Sequence, residues 1–298
     1  MAISKEPLIS VIVPTFNRGH MIRRTINTVL NQTYNNFELI IVDDGSTDDT
    51  MIEVKRFSDK RIKYHKLDNN SKGRKTRNCG IKIAEGQFIA FLDSDDEWDL
   101  KKLEKQIKFI TENNLFNKKF MCFTDLVIKT PRKSKEQKNN CFNNENLMEY
   151  ILVEGNEVQT SSYILPTLLA KNTLFNENLK KHQDWDFCLR LLKNGAQLYN
   201  IPESLSVWNV GKSDTRISNS YKSENVSLTW FNNNKVWFTK RSMLAFNVIM
   251  LTEYYLMTDG SMKVLRNCNK AYKEKAISRE IYIKTLAKIF LYKCRIYK

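Results

Sequence analysis

The stretch FLDSDDEW, Phe91 to Trp98, decides how this chain is read. It closes an unbroken apolar run, Phe88 to Leu92 (FIAFL), of the kind that forms a strand buried on both faces. The run ends in Asp93, Asp95 and Asp96, three carboxylates within four positions. Like charges so close repel one another. A divalent cation with hard oxygen ligands, Mg²⁺ or Mn²⁺, would neutralise them. The bland alternative is a surface turn with solvated acids.

Two other apolar runs end in the same way. Ile9 to Val13 (ISVIV) runs into Pro14-Thr15-Phe16-Asn17, and Phe37 to Val42 (FELIIV) into Asp43-Asp44-Gly45-Ser46. Ile62 to His65 reads as a short third strand. Between them, helical apolar spacing predicts helices over Gly19 to Gln32, Asp48 to Phe57 and Arg74 to Glu85, with another over Leu100 to Asn113. Ser46 or Thr47 is a candidate cap for the second helix. Strand and helix in alternation predict an α/β fold: a mostly parallel sheet flanked by helices. Ligands of such sheets sit beyond the carboxyl ends of the strands, so the three polar clusters converge on one crevice.

The 298 residues divide by pattern into three segments: 1–125 with the strand-end clusters, 126–218, and a helical basic region 219–298. Lys129 to Asn146 is poor in apolar residues and reads as a surface loop or flap. Lys and Arg outnumber Asp and Glu by 48 to 33, a net +15 that points to a polyanionic partner or an anionic substrate. From Tyr221 onward there are 15 basic and 5 acidic residues. The six cysteines are scattered, which reads as free thiols in a reducing compartment. With only three dispersed histidines and no C-x-x-C pair, a zinc site is not expected. No secretory signal or membrane span is apparent, so the expected location is cytoplasmic, peripheral to the inner face of the cell membrane.

The candidate residues follow from chemistry. The Asp-x-Asp of the opening stretch, Asp93 and Asp95, is a candidate metal site that leaves most of the cation's shell open to a bound diphosphate. Asp44 accepts hydrogen bonds only, which suits the N3–H of uracil or a ribose hydroxyl; helix capping is the alternative. Arg77 suits a phosphate or the face of a base; a plain surface arginine is the alternative.

Taken in order, LISVIVPTFNR, FELIIVDDGSTDDT, TRNCGIKIAEGQFIAFLDSDDEW and HQDWDFCLRLLKNG resemble the bacterial family 2 glycosyltransferases of GT-A fold. The match is dense over Leu8 to Gln106 and fades beyond Gly195. The resemblance implies an inverting transfer from a nucleotide-sugar, usually a UDP-sugar, with Mn²⁺ or Mg²⁺. It implies that Pro14, Thr15, Asn17, Asp44, Arg77, Asp93 and Ser94 bind the nucleotide-sugar, that Asp95 ligates the metal, and that Asp184 is the general base. Two departures stand out. Gln183 stands where the motif often has Glu, with Asp186 the nearest substitute carboxylate. And VWNVGKSDTRIS, Val207 to Ser218, has no late histidine, leaving Lys212, Asp214 or Arg216 to compensate.

Together with the basic C-terminal region, this reading fits a glycan acceptor carried on a polyprenyl diphosphate, as in O-antigen or capsule assembly, with polyprenyl phosphate or protein as alternative acceptors. Ser278 to Lys298 reads as a basic amphipathic helix with apolar Ile281, Leu286, Ile289 and Phe290. It suits an anionic membrane surface, or else a packing helix with a solvated basic face. Phe246 to Leu256 is a core helix or an oligomer contact. No nucleic-acid recognition motif accompanies the charge. A sugar nucleotidyltransferase would carry a G-x-G-x-R loop where this chain has PTFNRG.

Overall fold

The computed structural model describes residues 6–68, 71, 73, 75–211 and 225–296. The chain forms two compact units. The first comprises residues 1–143, 157–179 and 183–212, and the second 144–156, 180–182 and 213–298.

The first unit is built on one nine-stranded sheet. Its strands are β1 (Ile9–Thr15), β2 (Phe37–Asp43), β3 (Ile62–Lys66), β4 (Phe88–Phe91), β5 (Glu97–Trp98), β6 (Phe120–Lys129), β7 (Ser134–Gln137), β8 (Ile164–Pro166) and β9 (Gln197–Asn209). The order is β3-β2-β1-β4-β8-β6-β9-β5, with β7 paired to β6. The first four strands are mutually parallel, as the apolar runs predict. β6 and β9 form a second parallel pair, and β8 joins the two groups antiparallel to each. Strands buried on both faces need apolar residues at every position. Ile9, Val11, Ile12 and Val13 of β1, Leu39 to Val42 of β2 and all of β4 are accordingly inaccessible to solvent.

Four helices pack beside the parallel half: α1 (Ile22–Leu30), α2 (Thr50–Lys55), α3 (Thr76–Ile83) and α4 (Lys102–Glu112). Each is shorter than its apolar periodicity predicts, because turns at the strand ends take up the flanking polar residues. Gly80 marks the closest approach of α3 to the sheet. A Cβ there would lie 2.5 Å from Ile12 Cγ2.

The polar segment after Lys129 is a loop as its composition predicts over residues 138–146, but its first part is not. β6 continues to Lys129, and β7 folds back on it in register Leu126↔Gln137 to Lys129↔Ser134. β7 is almost wholly exposed, so backbone pairing rather than side-chain burial defines it. The remaining helices of this unit are α6 (Thr167–Thr173) and α7 (Gln183–Lys193).

The second unit is helical: α5 (Leu147–Leu152), α8 (Val226–Asn233), α9 (Lys240–Ile249), α10 (Thr252–Thr258), α11 (Ser261–Lys273) and α12 (Arg279–Ile296). Its core is aromatic. Phe231 and Phe246 stack at 5.0 Å, and Trp230 and Phe238 pack around them. Residues 246–256, expected as one helix, span the last turn of α9 and most of α10, with Phe246, Val248, Leu251 and Leu256 buried. None of the six cysteines forms a disulfide.

Candidate functional site

β1 lies between β2 and β4, so the loops following these three strands are neighbours. The Asp44 N–H donates to the Thr15 carbonyl at 2.9 Å, and the Leu92 N–H to that of Ile12 at 3.0 Å. Asn17, in the left-handed conformation at φ +50°, ties the first two loops together. Its N–H donates to Ser46 Oγ at 2.8 Å, and its Oδ1 accepts the Thr47 N–H at 2.9 Å. Ser46 is thereby used in the crevice and is not the cap of α2; its hydroxyl donates to Asp43 Oδ1 at 2.6 Å. Pro14 precedes this junction in register with Val42.

Asp44 is fully buried, and both its oxygens are engaged. Oδ1 accepts the N–H and hydroxyl of Ser71, at 2.9 and 2.7 Å, and Oδ2 accepts the Gly73 N–H at 2.6 Å. The carboxylate thus clasps the segment ahead of α3. That α3 carries Arg77, whose guanidinium donates to Asp93 Oδ1 at 2.5 Å and lies over the Phe175 ring at 5.5 Å. Desolvation disfavours this cation, but Asp93 outweighs it and holds the guanidinium firmly protonated. Asn78 fixes the helix by exchanging hydrogen bonds with the Phe175 backbone, at 2.8 and 2.7 Å.

The DSDD loop is held through its main chain. Thr25 Oγ1 lies 2.9 Å from the Ser94 carbonyl and 3.0 Å from that of Asp96. Arg24 and the Asn209 side-chain amide each donate to the Asp95 carbonyl at 2.9 Å. The Asp93 N–H donates to Ser161 Oγ at 3.0 Å. The third aspartate is structural. Asp96 is buried, and it accepts from Ser161 Oγ at 2.6 Å, Gln159 Nε2 at 2.8 Å and the Asn209 N–H at 3.0 Å. Burial, with Asp93 and Asp95 close by, pushes its pKa well up. The Ser94 side chain is buried, while Asp93 and Asp95 keep partial access to solvent. Among the described residues no group of three or more His, Cys, Asp or Glu side chains could hold a metal. Asp93 and Asp95, both partly accessible, offer hard carboxylate oxygens only.

Asp184 lies in the first turn of α7, where the helix dipole favours an anion. Its Oδ1 accepts the Trp185 N–H at 2.9 Å. The next turn anchors the helix under β4: Phe187 stacks on Phe175 at 4.0 Å, and both meet Phe91 edge-on. Burial raises the Asp184 pKa, the Trp185 N–H and the Arg77 charge oppose this, and Asp93 adds to it. Asp184, Arg77 and Asp93 therefore form one electrostatic group. Asp186 is buried, and Gln183 donates its amide to the Leu179 carbonyl at 2.8 Å.

One carboxyl here has no signal in the sequence. Glu157 is largely buried, and its pKa is pushed up to about 7, first by burial and then by the charge of Asp184. Asn139 brackets its backbone: the Asn139 side chain accepts the Glu157 N–H at 2.8 Å and donates to its carbonyl at 2.9 Å. Two and four residues on, Gln159 and Ser161 are the partners of Asp96, so this segment runs from the DSDD loop towards Asp184. Three buried polar atoms near the strand ends have no hydrogen-bond partner among the described residues: Thr15 Oγ1, Arg18 Nε and Arg77 Nε. Lys212, Asp214 and Arg216 lie outside the described residues.

A family model described as glycosyl transferase family 2 matches residues 10–152. A putative teichuronic acid biosynthesis glycosyltransferase, TuaG of Bacillus subtilis, is 30% identical over 80% of this chain and 89% of its own length. The chain belongs to glycosyl transferase family 2. The amylovoran biosynthesis glycosyltransferase AmsB of Erwinia amylovora is 28% identical over 87% of this chain and 88% of its own. Escherichia coli WfgD, a UDP-Glc:α-D-GlcNAc-diphosphoundecaprenol β-1,3-glucosyltransferase, is 46% identical over 36% of this chain and 43% of its own. Some relatives are longer: the chain spans 44% of one from Rickettsia conorii. Among solved structures, S. aureus TarS 1–349 with UDP-GlcNAc superposes with a TM-score of 0.61 at 19% identity, covering 95% of this chain and 88% of that one. The mannosyltransferase PcManGT from Pyrobaculum calidifontis, with GDP-Man and Mn²⁺, gives 0.60 at 17% identity, covering 97% and 81%. The GT-A expectation for the fold is borne out. This family 2 glycosyltransferase carries its motifs where the family model and the sheet order coincide, at the ends of β1, β2 and β4.

Proposed function

We propose that the chain is an inverting glycosyltransferase that moves a sugar from a UDP-sugar to a hydroxyl of a lipid-linked glycan during assembly of a bacterial surface polysaccharide. The observation that carries this reading is the Arg77–Asp93 ion pair, with Asp184 within its electrostatic reach, near strand ends where buried polar atoms lack partners. An anionic, oxygen-rich ligand such as a nucleoside diphosphate would satisfy Thr15, Arg18 and Arg77. The names of AmsB, TuaG and WfgD support a surface polysaccharide, and that of WfgD supports an acceptor on a polyprenyl diphosphate.

In this reading Pro14, Thr15, Asn17, Asp44 and Ser94 frame the nucleotide side and Arg77 faces the diphosphate. Asp95 would hold Mn²⁺ or Mg²⁺, with Asp93 behind it. When bound, the metal supplies charge stabilisation for the departing UDP. Asp184 takes the proton of the acceptor hydroxyl as its oxygen attacks the anomeric carbon. The bond from that carbon to UDP breaks on the opposite face, so configuration inverts. Burial makes Asp184 a stronger base than a solvated carboxylate, and a positioned base contributes roughly 10²–10⁴-fold.

Thermal unfolding with UDP, with and without Mn²⁺, tests the donor half. Stabilisation that needs both, and that Asp95→Ala removes, is expected. No stabilisation by UDP with Mn²⁺ would overturn the reading.

A further inference from the structure

The C-terminal helix α12 has two apolar faces. One packs within its own unit: Thr285 and Ile289 are buried, and Tyr282 stacks on Tyr272 at 4.5 Å and donates to Asn269 Oδ1 at 2.9 Å. The other carries Ile283, Ala287, Phe290, Leu291 and Cys294, all exposed. Steps of three and four residues place these on one stripe. Ile283 is 53% accessible, Phe290 67% and Leu291 61%. The sequence reading put Ile281, Leu286, Ile289 and Phe290 on the apolar face. The structure turns Ile289 into the core, leaves Ile281 and Leu286 half-buried, and keeps only Phe290 on the stripe.

Large apolar side chains exposed in a row mark an interaction surface, and the charge around them says what kind. Lys284 and Lys288 run along one flank of the stripe. They pair with Glu280 at 2.5 Å and Glu253 at 3.4 Å, so this flank is charge-balanced, and exposed Arg279 and Lys293 add further base on the same helix. The chain as a whole carries +15. A second copy would bring the same positive field against this one, which disfavours self-association. An anionic surface with an apolar interior matches both features. No described helix is long and apolar enough to cross a membrane, so the fitting geometry is a helix lying on one.

We propose that α12 docks on an anionic lipid bilayer, with Ile283, Phe290 and Leu291 in the acyl boundary and the flanking lysines at the phosphate level. This deepens the reading of a lipid-linked acceptor, on which it rests for its purpose but not for its test. The same face would hold the enzyme at the surface where such an acceptor is presented.

The test is flotation of the whole chain with vesicles of phosphatidylglycerol and phosphatidylethanolamine, against phosphatidylcholine alone. Binding to the anionic vesicles, weakened by salt, is expected. The double variant Phe290→Glu/Leu291→Glu should lose it by about tenfold or more, with Tm unchanged because both side chains are exposed. UDP-dependent stabilisation with Mn²⁺, measured without vesicles, should be the same in both proteins. Its absence would count against the transferase reading alone. No binding to anionic vesicles at low salt, or binding that the double variant retains, would overturn the proposal. So would a dimer in light scattering that the double variant dissolves without any vesicle binding.

Discussion

Replacing Glu157 by Gln should make the protein more stable, by an amount that grows from about pH 4.5 to about pH 7 and is full above that. In the folded chain this carboxyl is held neutral up to about 7, against an ordinary 4.5. A raised carboxyl pKa means that the folded state binds the proton more tightly than the unfolded state. Stability then falls as pH rises from about 4.5 to about 7, and the loss is complete above that. At roughly 1.36 kcal/mol per pKa unit, the full cost of ionising Glu157 is about 3 kcal/mol at pH 8 and below about 1 kcal/mol at pH 5. Gln has the same shape and no charge, so Glu157→Gln avoids the cost. A chain of this size shifts by roughly 2–4 °C per kcal/mol, which sets an expected gain of about 6–12 °C in Tm at pH 8. The assay is thermal unfolding of both proteins from pH 5 to pH 8, without metal or nucleotide. Every other titrating group is common to the two, so the difference isolates Glu157. A difference that does not change with pH, or a variant less stable at pH 8, would refute the placement of this carboxyl beside Asp184.

Two further outcomes follow from the geometry. Asp184→Asn should lower kcat by roughly 10²–10⁴-fold while leaving UDP-dependent stabilisation intact, and near-normal turnover would remove Asp184 as the base. Gly80→Ala drives a methyl to 2.5 Å from Ile12 Cγ2 and should cost about 1–3 kcal/mol in chemical denaturation, a cost absent if α3 can shift freely off β1.

The parallel half of the sheet is legible in the sequence because burial on both faces forces apolar residues at every position of β1, β2 and β4. The polar residues that stop these runs mark the crevice for the same reason. Where backbone pairing alone makes the structure, composition is silent: β7 is Ser-Lys-Glu-Gln and reads as loop. Asp44 shows another limit. Its type fits a ligand contact, but its grip on Ser71 and Gly73 depends on a turn 27 residues away that no local pattern announces. Glu157 is silent for a third reason. Nothing in EGNEVQTSSY singles it out; only the fold carries it towards Asp184. Asp96 reads as a third candidate ligand beside Asp93 and Asp95, yet its oxygens are consumed by Ser161, Gln159 and Asn209.

The way Thr25, Arg24 and Asn209 grasp the carbonyls of Ser94, Asp95 and Asp96 has a consequence for how such an enzyme diversifies. The turn's shape is imposed from outside, on atoms every amino acid possesses. Mutations at 94 and 95 can therefore exchange chemistry without rebuilding the scaffold, whereas a change at Thr25 would disturb the whole bend at once. Helix α1, which carries both Arg24 and Thr25, becomes the position least free to vary.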